Sequence, residues 1–244
     1  MQIAKFIARM HIELVLGKIS IKEFWLRYAD IFKNKWNNIV ELIDFNEKNN
    51  IPATFFIGVN NGLGLSYGID LAEKYTKMIL SRGFDCGVHG IAFEHEDDIK
   101  KEYDTFKNIS GQENFGVRMH YLKKNIKTLQ KLARAGYIFD STDYGIKNHY
   151  KINNMIEFPL YIMDVYEIEG RKKYQSTDLE KALKSSIKKI KEAQSLNMEY
   201  LTMLFHTRYF NDSFKTWKDW YIQITKYCRS EGFEFVNYKQ IIRH

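Results

Sequence analysis

Apolar residues recur at helical spacing near the start of the chain. Between Ile21 and about Asn49, Trp25, Tyr28, Ala29, Phe32 and Trp36 fall on one stripe, and Ile39, Leu42, Ile43 and Phe45 continue it. That period predicts a helix, broken near residues 34–38 and closed by Asn49-Asn50. Ahead of it, Ile3, Phe6, Ile7, Met10 and Leu14 share a second helical face. This face is expected to pack against the domain, with a membrane-surface helix as the alternative. From Ile51 the pattern changes. Ile51-Pro52-Ala53-Thr54-Phe55-Phe56-Ile57 is short, β-branched and aromatic and reads as a buried strand. Gly68–Arg82 predicts a helix with Leu71, Tyr75, Met78 and Ile79 inward and Gly83 as its cap. Further strands are expected at Phe84–Val88, Asn114–Val117, Tyr137–Asp140, within Met155–Asp164, at Tyr200–Phe205 and at Phe233–Val236. Helices are expected at Asp97–Ile109, at Lys123–Ala135 with Ile126, Leu129 and Leu132 inward, behind a Thr177/Glu180 capping box, and around Trp217–Arg229. This alternation predicts parallel βαβ units, hence an α/β fold.

The chain has 244 residues, 45% of them of hydrophobic type, enough for one sizeable core. With only 2 prolines and 14 glycines there is little material for a flexible linker. The formal charge of +7 raises the question of a nucleic-acid or membrane partner. Lysines such as Lys181, Lys184, Lys188 and Lys191 are spread along helix faces without a long like-charge run, and no aromatic-basic interleaving marks a strand-binding surface. A solvated surface is therefore expected, and no nucleic-acid partner. Lys5, Arg9, His11 and Glu13 interrupt any signal-peptide core, and no apolar run has the length of a membrane span. Cys86 and Cys228 form no CxxC motif, so reduced thiols and a cytoplasmic location are expected. Oligomeric state leaves no signature in the sequence.

Three segments place a histidine or arginine directly after a strand-like run: Gly87-Val88-His89-Gly90, Gly116-Val117-Arg118-Met119-His120 and Leu204-Phe205-His206. Strand C-terminal ends are where catalytic side chains collect in α/β barrels, and imidazole serves both as metal ligand and as acid or base. Each residue also has a structural reading. His89 could be a loop histidine with an ordinary hydrogen bond, His206 a buried structural one. Arg118 could form a salt bridge to Asp140, and Asp140 could cap a turn.

Taken in order, Ala53-Thr54-Phe55-Phe56, Gly87-Val88-His89-Gly90-Ile91, Gly116–Leu122, Ala135–Thr142, Phe158–Asp164 and Leu204-Phe205-His206 resemble the polysaccharide deacetylase superfamily (NodB homology, carbohydrate esterase family 4). The resemblance runs from about Trp36 to the C-terminus. It implies a helical segment over 1–35 and a deacetylase-like domain over 36–244, a distorted (β/α)7 TIM-like barrel. It also implies removal of N-acetyl groups from a carbohydrate substrate by a divalent metal, zinc by preference, that polarises the amide and activates water. On that resemblance His89 is a metal ligand, and His95 a weaker candidate because Phe93 stands where the second histidine belongs. Arg118 orients the catalytic carboxylate, Asp140 lies at the barrel mouth, His206 is the general acid, and His120 and Phe205 sit beside the substrate cleft.

The family's Asp-rich first strand, which supplies base and metal ligand, has no counterpart. The first aspartate is Asp30, inside the helical stripe, and Asp44 matches no motif position. The barrel is thus expected to be incomplete at its first strand. Two explanations follow. In one, the sequence is the C-terminal part of a longer deacetylase with Met1 an internal start. In the other, it is a non-catalytic relative that keeps a cleft for glycan or acts as a scaffold. The single geometric expectation common to both is that His89, Arg118 and His206 meet at one mouth.

Overall fold

The computed structural model describes residues 3–33 and 35–242. The first run contains α1 (Ile3–Val15), α2 (Ile21–Phe32) and, after the break, α3 (Ile39–Lys48). Then follow β1 (Thr54–Ile57), α4 (Ile69–Ser81), β2 (Asp85–Gly90), α5 (Glu96–Ser110), β3 (Val117–Met119), α6 (Thr128–Ala135) and β4 (Phe139–Asp140). The remainder comprises β5 (Tyr150–Ile152), β6 (Met155–Glu157), β7 (Leu160–Met163), α7 (Asp164–Ile168), α8 (Leu179–Ser195), β8 (Thr202–Leu204), α9 (Lys215–Ser230) and α10 (Tyr238–Ile242). The expected helix break falls where the sequence places it, although Asn34 within it, and residues 1, 2, 243 and 244, lie outside the described residues.

The chain divides into two units. One gathers residues 1–49, 161–198 and 203–234, the other residues 50–160, 199–202 and 235–244. The second unit is built on a six-stranded sheet of order β1-β2-β3-β4-β6-β5, parallel except for β5. A two-stranded sheet pairs β7 with β8. The α/β class is as expected. The strands do not close into a (β/α)7 barrel among the described residues, because β1 and β5 end the larger sheet as edges.

Within the sheet, α4, α5 and α6 connect successive parallel strands, and β2 is buried along nearly its whole length without alternation. Strand spacing depends on two small residues. A Cβ on Gly116 would meet the Phe139 ring at 2.3 Å, and one on Gly87 would meet the Gly116 carbonyl at 2.6 Å. Gly83 and Gly136 adopt left-handed φ of 78° and 113° and end α4 and α6 as expected. Three expectations are corrected. Residues 123–127 are not helical, and Ile126 is 94% exposed. No strand forms over residues 233–236. Helix α8 begins not at a Thr177/Glu180 box but at Asp178, whose side chain accepts from the Lys181 N–H.

The first unit packs Phe6, Met10, Phe24, Ile43, Ile190, Trp217, Trp220 and Ile224 into its core. The inward face expected for α1 is present, with Phe6 and Met10 buried and only Ile3 of that face exposed, whereas α2 reverses the stripe read from the sequence. Helix α2 starts at a capping box in which Ser20 and Glu23 exchange backbone hydrogen bonds. It buries Glu23, Phe24 and Arg27, while Trp25 is 63% and Phe32 85% exposed. Helix α1 buries Phe6, Met10 and Glu13 and leaves Ile12 and Val15 outside. The cause is electrostatic. Glu13 and Arg27 form a fully buried ion pair, completed by the Gln175 N–H to Glu13 and by Arg27 to the Ser213 carbonyl. Once both charges are inside and paired, the apolar residues on the opposite sides of α1 and α2 must face outward.

Candidate functional site

In the sheet unit the strand ends collect most of the expected residues. His89 on β2 lies beside Arg118 on β3 in parallel register. The His89 Nδ1 is 3.1 Å from the Arg118 carbonyl, and its Nε2 is 2.8 Å from Nδ1 of His120. The His120 Nε2 in turn lies 3.1 Å from the Leu63 carbonyl. The two rings are perpendicular, at 88° with centroids 4.8 Å apart. Both flanks of His120 are held in left-handed backbone, Leu63 at φ 51°, Tyr121 at 56° and Leu122 at 54°. Side chains of this kind pay about 1–3 kcal/mol for such conformations, and strain of this sort collects at functional sites.

Arg118 is buried. Its Nε donates to the Ser141 carbonyl at 3.0 Å, and its Nη2 donates to Ser141 Oγ at 2.7 Å and to Tyr238 Oη at 2.8 Å. The guanidinium lies 4.5 Å over the Phe56 ring. Among the described residues it has no ion-pair partner, neither the expected base nor Asp140. Asp140 is fully buried, its oxygens accepting from the Thr142 N–H and hydroxyl at 3.2 and 2.7 Å. It therefore does not look out of the strand ends. Across the sheet it is the register partner of Glu157 on β6, also fully buried. Burial raises both carboxyls above their ordinary range, and the neighbouring Asp140 charge raises Glu157 further. His95 is exposed at the start of α5 without a capping bond.

The other unit holds His206, directly after β8. Its Nδ1 donates to Asp164 Oδ1 at 2.8 Å, and its backbone N–H donates to Asp164 Oδ2 at 2.7 Å. Asp164 is fully buried, whereas the His206 side chain is 44% exposed. A buried carboxylate gripping both groups fixes the imidazole orientation and keeps the proton on Nδ1, leaving Nε2 as the exchanging nitrogen. Phe205 packs on Tyr221 and Trp220 of α9, with centroids 4.6 and 6.3 Å away.

The donor set for a metal can be tested on this geometry. Among the described residues no three His, Cys, Asp or Glu side chains come together. Zinc requires about 2.0–2.1 Å to each nitrogen and, in catalytic sites, usually three protein ligands. Here His89 spends Nδ1 on a carbonyl and Nε2 on a second imidazole. The residues present do not fit a catalytic metal. Sequence reasoning missed Asp164, Glu157, Ser141 and Tyr238. Asp164 ends a motif-like run and Ser141 follows Asp140, so both had a signal, whereas the partners of Glu157 and Tyr238 are set by topology.

No protein-family model and no curated protein matches the chain. Solved structures do. A protein assigned as a polysaccharide deacetylase from Mycobacterium smegmatis superposes with a TM-score of 0.64 at 15% identity, over 85% of this chain and 76% of that one. A CE4 family pseudoenzyme from Bacillus anthracis gives 0.55 at 11% identity, over 84% of this chain and 61% of that one. A mutant of that pseudoenzyme with restored enzymatic activity gives 0.55 at 12%, over 84% and 63%. At these identities the likeness concerns architecture: the chain has the fold of the polysaccharide deacetylases and CE4 family proteins.

Proposed function

We propose that this protein binds an N-acetylated carbohydrate on a deacetylase scaffold without assembling a catalytic metal centre from its described residues. The observation that carries the reading is the state of His89. Both its ring nitrogens are engaged, by the Arg118 carbonyl and by His120, and no third ligand accompanies it. Arg118, which the resemblance makes the partner of a catalytic base, serves instead as a brace between β3, Ser141 and Tyr238. The carbohydrate ligand is carried over from the fold neighbours, among them a polysaccharide deacetylase. The finer architecture belongs to the same proposal: a (β/α)7 barrel derivative lacking the strand that the resemblance places ahead of β1, which is here an edge.

A second reading, hydrolysis of the N-acetyl group, is favoured by His206. With Nδ1–H donated to Asp164, a protonated Nε2 would deliver its proton to the departing amine nitrogen. That reading requires a base and metal ligands beyond those described. Titration with an N-acetylglucosamine oligosaccharide followed by NMR, together with an acetate-release assay in added zinc, separates the two. Binding without acetate supports the first reading. Acetate release that is lost in His206→Ala establishes the second. Absence of both binding and release overturns both.

A further inference from the structure

The exposed sides of α1 and α2 carry chemistry that neither reading uses. Along α1, Ala4, Ala8, Ile12 and Val15 lie outside, and Leu16 follows at 51% exposure. Along α2, Ile21, Trp25 and Phe32 are 69%, 63% and 85% exposed. The two rows adjoin: His11 of α1 packs edge-on against Tyr28 at 6.2 Å, and Tyr28 lies 5.9 Å from Trp25. A cluster of exposed bulky apolar side chains of this kind, broken only by the His11 ring, is uncommon on a globular surface and marks an interaction site.

Charge identifies the occupant. Every acidic side chain over residues 3–33 is turned inward. Glu13 is buried against Arg27 and Arg9, Glu23 is buried in its capping box, and Asp30 accepts from Ser213 and Asn211. The exposed charges are basic only, Lys5, Lys22 and Lys33, with Lys18 half-exposed in the turn. Lys22 and Lys33 flank the Ile21-Trp25-Phe32 row on one side. Bulky apolar side chains with a tryptophan, bordered by lysines and free of acids, match the acyl-headgroup boundary of an anionic bilayer. A protein surface of mixed charge would gain nothing from excluding acids so completely. Among the described residues no helix is long and apolar enough to cross a membrane, so the face would lie on the surface rather than span it.

We propose that the α1–α2 hairpin docks the protein on an anionic lipid surface, with Trp25, Phe32 and Ile21 inserted at the headgroup level and Lys5, Lys22 and Lys33 against the phosphates. The inference stands apart from the carbohydrate reading, since its test requires no activity.

The test is flotation of the full chain with phosphatidylcholine vesicles, with and without phosphatidylglycerol. The intact protein is expected to float with the anionic vesicles at low salt, less as salt is raised, and little with the neutral ones. Trp25→Ser with Phe32→Ser, both at exposed positions, should lower partitioning about tenfold or more with the far-UV spectrum unchanged. Lys22→Glu with Lys33→Glu should weaken anionic binding selectively. The proposal falls if the protein stays with the soluble fraction at low salt, or if the Trp25/Phe32 variant floats like the parent. It falls equally if sedimentation shows a dimer that this variant abolishes while lipid is ignored, which would make the face a seam between copies.

Discussion

Asp140 and Glu157 are register partners on neighbouring parallel strands, both fully buried. Both carboxyls are raised in the folded protein, so unfolding above an ordinary glutamate value of 4.5 releases a proton that folding had held. Their contribution to stability is therefore complete below that value and declines as pH rises, by up to about 1.4 kcal/mol per pH unit. Urea denaturation at mildly acidic, neutral and alkaline pH should show this fall, and Glu157→Gln, which keeps a neutral donor, should flatten it. His206 makes a second residue-scale case. Asp164→Ala strands the His206 backbone and ring N–H groups and the Val165 N–H, and should cost about 2 kcal/mol by the same measurement. Nitrogen-edited NMR of the parent should find the His206 proton on Nδ1. The sequence made His89, Arg118 and His206 visible because each directly follows an apolar run. Asp164 ends a motif-like run but carries no readable role, since its partner lies 42 positions further along the chain. Glu13 and Arg27 were unreadable for a different reason. Helical spacing pointed the apolar stripe inward, and only the pairing of the two charges reverses that preference.

At the scale of elements, strand closeness and helix ends carry the testable content. Gly116→Ala would drive a methyl into the Phe139 ring, with the neighbouring strand unable to yield. A loss of about 2–3 kcal/mol is expected, seen as a lower denaturation midpoint. Ser20→Ala removes one half of the α2 capping box and should cost about 1 kcal/mol. Helix α2, α4, α5 and α9 and the strand ends at β1 and β2 were legible, because periodicity and Gly or Asn stops agree there. The register of Thr177 against Asp178 was not, because several capping side chains in a row compete and only one geometry wins. The Phe233–Val236 run alternates like a strand yet joins no sheet, and alternation alone does not create a ladder.

For the molecule as a whole, the α/β class was readable from the alternation of periods, whereas the antiparallel β5 edge and the separate β7–β8 pair were not. The division into units was not, since each is assembled from separated runs that composition does not distinguish. A chelator provides the corresponding test of the site. Without three converging ligands the purified protein should hold well under one equivalent of zinc, and its melting temperature should be unmoved by EDTA. Tight stoichiometric zinc or a clear downward shift would contradict the arrangement of His89. The interleaving of the units has a consequence for how the protein is made. Residues 235–242 close the sheet unit that begins near residue 50, and residues 203–234 complete the unit that begins at the first helix. No single cut of the gene yields either half intact, and a nascent chain emerging from the ribosome cannot finish one half while the other waits. Both must ripen together once residues 203–242 have emerged, leaving the early helices in need of shelter until then.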